Sequence, residues 1–399
     1  MTMSSTPVPP NPGPNPGPGA GRQPGTTRIV AGAPARPTRK HTLEISLAAC
    51  LVLLIGVGAA VASTAAPNKD TVPAVSVQTP AAELKLGYFG NITHAPALVG
   101  VSQGLIAKSL GGTKLSTQVF NAGPAAIEAL NAGAIDATYI GPSPAINSYV
   151  KSKGASVSIV AGAASGGAQL VVKPGIASAA DLKGKKLATP QLGGTQDVAL
   201  RAWLGGQGFK VNTDGSGDAA INPTENAQTL KLFQDGKLDG AWLPEPWASR
   251  LVLQAGAKVL VDEKDLWDKG EFATTVLIVN RKFAAEHPST VQALLKGHVE
   301  SVDWLNTTPA AEKSAVLNAA LKESAGAALP VDVIDRSLQN IVFTADPLAG
   351  TFPKLLRDGV NAGTTTQADI RGLFDLTALN GVLSVSSGTK ILARGLGKD

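Results

Sequence analysis

Residues 234–250, QDGKLDGAWLPEPWASR, constrain their own fold almost position by position. They read as the end of a helix, a tight turn at Gly236, a short buried strand over 238–243 and a loop with two prolines. Proline suits the first turn of a helix, so Pro244 and Pro246 mark a helix start at the C-terminal end of a strand. In open α/β sheets ligands sit at that edge, because unpaired backbone N–H groups point outward there. The pattern occurs earlier too, over 131–144, where Asp136 stands in for Asp239 (239 − 136 = 103). A second pair has nearly the same offset. A strand over 84–88 leads through 90–94 into a helix, and a strand over 186–188 leads through 192–196 into another. Thr93 and Thr195 are the matching positions (195 − 93 = 102). Two pairs at one spacing predict two similar α/β lobes, each turning its loop-to-helix starts the same way. Coincidental likeness between ordinary α/β units is the plainer alternative.

At 399 residues the chain is long enough for two domains plus extras. Hydrophobic residues make up 44%, which supports a real core, but aromatics only 4%, so small aliphatic side chains must do most of the packing. The net charge of +5 is mild and its basic residues are scattered. Without a basic stripe or an aromatic platform, nucleic acid is not an expected partner.

Residues 1–42 are rich in Pro, Gly and Thr and are expected to be a disordered tail. Arg36, Arg39 and Lys40 precede an apolar run from about 45 to 62. A basic flank before roughly 18 apolar residues is a membrane-targeting signal of borderline spanning length. Residues 43–66 are therefore expected to be a signal peptide or a membrane anchor, with everything beyond it extracytoplasmic. Cys50, the single cysteine, follows Leu47-Ala48-Ala49, as in a bacterial lipoprotein box, but most of the apolar run lies after it. Lipidation at Cys50 and a lipid-buried thiol both stay open. Either way the exported part has no disulfide and no thiolate chemistry. Residues 67–82 read as a linker.

From 83 onward strand and helix signals alternate, which predicts an α/β fold. One lobe is expected over 83–170 plus 275–399 and a second over 171–274, with crossings near 170–172 and 274–280. A single amphipathic helix is expected over 95–110, a loop over 163–167, and C-terminal helices that pad the first lobe. Two lobes joined by two crossings make a hinged clamp that closes on a ligand.

Asn91, Thr93 and His94 open one helix; Gly194, Thr195 and Gln196 open its counterpart. Backbone N–H groups and the positive end of the helix dipole favour negative charge there, and threonine adds a hydroxyl donor. Plain N-capping explains the same residues without a ligand. The Gly-Gly before Thr195 is not a phosphate-binding loop, since no G-K-[ST] follows. Ser143, between Pro142 and Pro144, is a donor at a helix start, or simply a turn residue. Gly166 and Gly167 suit a tight turn or a close backbone approach to a ligand. Glu245, between two prolines, can accept from an amine, amide or hydroxyl in a cleft, or steady its own helix through the dipole. Trp242 and Trp247 beside it fit core or cleft wall better than a cage. The four histidines are dispersed, and no metal motif, cofactor motif or nucleophile elbow is present.

Five stretches in order, NITHAPALVGVSQGL (91–105), YIGPSPAIN (139–147), Gly166-Gly167, ATPQLGGTQDVALR (188–201) and DGAWLPEPWA (239–248), resemble the aliphatic sulfonate/nitrate/taurine family. These are the substrate-binding proteins of ABC transporters. The resemblance covers the chain from about 83 to the C-terminal helices. It implies a two-lobed type II periplasmic-binding-protein fold with hinge strands, no cofactor and no catalysis. A small organic anion, an aliphatic sulfonate or a taurine- or nitrate-like solute, would bind in the interlobe cleft. The partner would be a membrane ABC permease, and the receptor would act as a monomer. Ligand contacts in the family come from the loops matched here by Thr93, His94, Ser143, Gly167, Thr195, Gln196 and Glu245. The family's pyrimidine-precursor binders and enzymes on the same fold are the alternative. The long Pro/Gly tail departs from the pattern. No arginine stands out in these loops as a sulfonate partner, so an oxyanion would rely on helix starts and hydroxyls.

Overall fold

The two repeated aspartates do one job twice. The Asp136 N–H donates to the Lys85 carbonyl at 2.8 Å, and its carboxylate accepts from the Lys85 N–H at 2.8 Å. Asp239 brackets Lys186 in the same way, at 2.8 and 2.9 Å. Each aspartate pins the start of one strand beside its parallel neighbour, so both strands deliver their following loops to the same edge.

The computed structural model describes residues 79–385 and 388–399, all within the compact unit formed by 73–399. The expected tail (1–42), the signal peptide or anchor (43–66) with Cys50, and residues 67–78 of the linker lie outside the described residues. Among those described, no helix is long and apolar enough to cross a membrane.

In chain order the elements are β1 (Glu83–Phe89), α1 (Ala95–Ser102), α2 (Leu105–Leu110), β2 (Lys114–Phe120), α3 (Gly123–Asn131), β3 (Ala137–Ile140), α4 (Pro142–Lys151) and β4 (Val157–Gly166). Next come β5 (Ala168–Val172), β6 (Lys186–Thr189), α5 (Thr195–Gly206), β7 (Ala220–Pro223), α6 (Asn226–Gln234), β8 (Gly240–Pro244), α7 (Trp247–Ala255) and β9 (Lys258–Asp262). The chain then runs through β10 (Ala273–Asn280), α8 (Arg281–Glu286), α9 (Pro288–Thr307), α10 (Ala310–Ala325), α11 (Val331–Gln339), β11 (Ile341–Phe343), α12 (Phe352–Asn361), β12 (Phe374–Asp375), α13 (Thr377–Val385) and β13 (Gly397–Lys398).

The first sheet has the order β13-β12-β4-β10-β3-β1-β2, with β11 on β4; the second has the order β7-β6-β8-β5-β9. In the first, β2, β1 and β3 run parallel and β10 antiparallel. In the second, β7, β6 and β8 run parallel and β5 antiparallel. Strands β1, β2 and β3 thus correspond to β6, β7 and β8, and Pro142-Ser143-Pro144 to Pro244-Glu245-Pro246 (244 − 142 = 102). The chain leaves the first sheet at Gly166–Gly167 and returns to it at Ala273. Strand β5 belongs wholly to the second sheet, so the outward change comes before residue 170.

The central strands carry near-continuous apolar runs because both their faces are covered; β4 and β10 are buried over almost their whole length. In β8 the faces separate with the two-residue period of a strand. Trp242 packs with Leu170 and Leu187 on one side, Ala241 and Leu243 with Leu230 and Leu251 on the other. Trp242 is fully buried core, its indole N–H donating to Glu263 at 2.8 Å.

Three expectations change. The helix over 95–110 is broken by Gly104, whose left-handed φ of 68° starts α2 afresh. The loop over 163–167 is mostly strand: β4 continues through Gly166 because β11 pairs with Ala164–Gly166 from far along the chain. The C-terminal helices pad both halves. Helix α9 lies on α1 and α2, but α11 packs against α7 and α12 against α5.

Candidate functional site

The C-terminal edges of the two sheets face each other across a chamber of about 30 Å3. Residues following all six parallel strands line it. After β1 come Asn91, Thr93 and His94; after β2, Asn121 to Gly123; after β3, Gly141 and Pro144. From the other half come Pro190, Gly194, Thr195 and Gln196 after β6, Asn226 after β7, and Pro244 at the end of β8. Thr274 and Thr275 of β10 complete the wall.

Among the described residues, no lysine, arginine, aspartate or glutamate lines this chamber. Its polarity comes from the starts of α3, α5 and α6, none of which has its N-terminal N–H groups taken by a capping side chain; at α4 Pro142 and Pro144 carry no N–H and that of Ser143 goes to Thr195, and at α1 Ala95 donates to the Ile92 carbonyl and Pro96 has no N–H. Ala122, Gly141 and Gly194 occupy the cap positions of α3, α4 and α5 and have no oxygen to offer. Free N–H groups and the positive ends of the macrodipoles therefore point at one small volume. Such a place suits an oxyanion without any formal positive charge.

The side chains add neutral donors. His94 is buried and stacks on Phe89 at 4.2 Å. Burial pushes its pKa down to about 3, so the ring is neutral at ordinary pH. Its Nδ1 accepts from the Phe89 N–H at 3.3 Å, which leaves the proton on Nε2 as a donor. Three buried polar atoms around the chamber have no partner among the described residues: Ser143 Oγ, Thr275 Oγ1 and Asn226 Oδ1. Leaving such an atom unsatisfied costs about 1–3 kcal/mol; the two hydroxyls can donate to an oxyanion, whereas Asn226 Oδ1 only accepts and calls for a donor on the guest. The Gln196 side chain lines the chamber too.

The two halves meet in related pairs. The Thr93 N–H reaches the Glu245 carbonyl at 3.4 Å, and Thr195 Oγ1 accepts from the Ser143 N–H at 3.4 Å. Each threonine thus addresses the Pro-x-Pro loop of the opposite half. Gly141 must be glycine, since a Cβ there would sit 2.2 Å from Thr195 Oγ1. The Gly193–Thr195 loop is held from behind by buried Asp197, which accepts from the Gly193 N–H at 3.0 Å and from Thr189 Oγ1 at 2.8 Å. Arg201 pairs with Asp197 at 2.9 Å and offsets its charge next to the α5 N-terminus.

Of the residues expected at the site, Asn91, Thr93, His94, Gly194, Thr195 and Gln196 line the chamber and Ser143 adjoins it. Gly166 and Gly167 do not line it. They turn the chain between sheets at φ of 78° and 74°, with the Asn340 carbonyl and the Ile341 side chain against the space a Cβ would fill. Glu245 does not face the chamber either. It is fully buried; Oε1 accepts from Arg336 Nη1 (3.1 Å) and Asn340 Nδ2 (2.7 Å), Oε2 from the Ser249 N–H (3.0 Å) and Ser337 Oγ (3.1 Å). Four donors exhaust the carboxylate, so it ties α7 to α11 rather than taking a ligand. Asn121 and Asn226 were missed, although the strand-to-helix pattern that marked β1 and β6 also holds at β2 and β7.

Two curated relatives and one solved structure stand out. The chain is 27% identical over 228 residues to the taurine-binding periplasmic protein of Escherichia coli, covering 57% of this chain and 68% of that protein. It is 31% identical over 229 residues to a putative aliphatic sulfonates-binding protein of the same organism, covering 56% and 66%. The chain thus spans about two thirds of the length of these relatives. The alkanesulfonate-binding protein SsuA from Xanthomonas axonopodis, solved bound to MOPS, superposes with a TM-score of 0.60 at 21% identity, over 72% of this chain and 96% of that one. The fold is that of the periplasmic binding proteins. The NMT1-like family profile matches residues 77–319, more than half of the sequence, and the chain belongs to that family.

Proposed function

We propose that this protein is the extracytoplasmic solute-binding component of an ABC importer, and that its solute is a small organic anion, an aliphatic sulfonate in the first instance. The chamber carries this reading: the starts of α3, α5 and α6, drawn from both halves, bring uncapped N–H groups to a volume without formal charge. The relatives named for taurine and aliphatic sulfonates point to the same class of solute. Lobe 1 comprises 83–166 plus 273–399 and lobe 2 comprises 168–272, moving about the two changes of sheet. Asn91, Thr93, His94, Ser143, Gly194, Thr195 and Gln196 contact the anion; Asn121, Asn226 and Thr275 join them. Contacts from both lobes exist only in the closed state, so binding shifts the population toward closure, and a membrane permease receives the solute unaltered. Native mass spectrometry of the purified chain should reveal a retained anion, and titration calorimetry should show binding of methanesulfonate. Failure of every sulfonate, taurine and nitrate to bind, with a pyrimidine precursor binding instead, would sink this reading.

A further inference from the structure

The inner chamber adjoins an outer vestibule of about 190 Å3, and Asn91, Asn121 and Asn226 line both. The vestibule walls are largely apolar: Val119 and Phe120 from β2, Trp247 from α7, and Leu321 and Leu329 at the end of α10 and just beyond. An apolar cavity of about 150 Å3 accepts a benzene ring, so an aryl group or a medium-length alkyl chain fits here. The inner chamber holds only the polar head of such a ligand. One charge of each sign stands at the rim. Exposed Glu225 accepts from Asn121 at 3.1 Å, and Arg250 lies 4.5 Å over the Trp247 ring with its Nε on Gln254. A ligand ammonium would lose hydration against apolar walls, and a contact with solvent-exposed Glu225 would offset little of that loss. Leu321, Ala325 and Leu329 lie beyond the residues matched by the family profile.

Resting on the oxyanion reading above, we propose that the vestibule is a tail subsite selecting sulfonates with an aryl or medium-length alkyl tail over taurine and nitrate. Calorimetry on the full chain with nitrate, methanesulfonate, taurine, hexanesulfonate and benzenesulfonate tests it. The two tailed sulfonates should bind at least about tenfold tighter than methanesulfonate, and taurine no tighter than methanesulfonate. Ala325→Trp, on an exposed position of the wall, should erase that advantage and leave methanesulfonate affinity unchanged. Val119→Trp, from the exposed edge of β2 opposite, should do the same. Equal affinities across the sulfonates, or a tail preference that survives both variants, would overturn the tail subsite and leave the anion head standing. No binding by any sulfonate would overturn both.

Discussion

Glu245 and Ser143 hold equivalent places in the two Pro-x-Pro loops yet have opposite fates. The Glu245 carboxylate is surrounded by four donors and pairs with Arg336, which also donates to Ser249 at 2.7 Å and to Gln169 at 2.9 Å. Removing one member of a buried pair strands the other, at a cost of about 3–5 kcal/mol. Glu245→Ala should lower unfolding stability by that amount in urea melts, and adding Arg336→Met should recover part of it. An unchanged melt would mean that the pair contributes nothing to the fold. Ser143 Oγ bonds to nothing among the described residues. Ser143→Ala should leave stability within about 0.5 kcal/mol and weaken oxyanion binding by about 1 kcal/mol, roughly fivefold; calorimetry and a thermal melt read the two effects separately. Sequence marked both residues as candidate ligand contacts. Only the packing of α11, 91 positions further on, separates them.

The uncapped starts of α3, α5 and α6, rather than any single side chain, make the chamber hospitable to negative charge. A macrodipole does not titrate. His94, held at about 3 by burial, stays neutral across the working range. Oxyanion affinity measured by calorimetry should therefore be flat from about pH 5 to 8. A steep rise on acidification would show a cationic ring at work and refute the neutral chamber. These elements were legible because their signals are local. Prolines at 142, 144 and 246 set helix starts, and the repeated aspartates set the strand pairs. The broken helix at Gly104 and the extension of β4 were not. The first hinges on one left-handed glycine inside a pattern that otherwise keeps its period; the second on a strand donated from residue 341 onward.

Three buried titratable groups shape the stability of the folded chain. His94 and His298 are pushed down by burial to about 3 and about 4, so the stability they contribute is present above pH 6.5 and lost as pH falls towards those values. Glu263, pushed up by burial to about 7, acts in the other direction: its contribution is present below pH 4.5 and lost as pH rises through 7. Between 4.5 and 6.5 the unfolded chain holds two histidine protons and the folded chain one on Glu263. Stability from these groups therefore rises with pH by about one proton's worth, ~1 kcal/mol per unit, and peaks near pH 6.5. Glu263→Gln should remove the decline above the peak and steepen the acid limb in melts across pH. Spin labels at Lys108 and Leu253, with Cys50 replaced by serine, should come closer on adding an anion that binds; an unchanged separation would argue against hinge closure.

The order of strands and helices, the doubling of the α/β unit and the loops that face one edge all follow from short-range patterns, which each segment carries in its own residues. Which side chains turn into the chamber does not. Glu245 and Gly167 belong to the marked loops, yet Arg336 and Ile341 claim them. Thr275 sits in an ordinary apolar strand, yet its hydroxyl reaches the chamber wall. These assignments rest on contacts between segments remote in sequence, and such contacts leave no local periodicity to read.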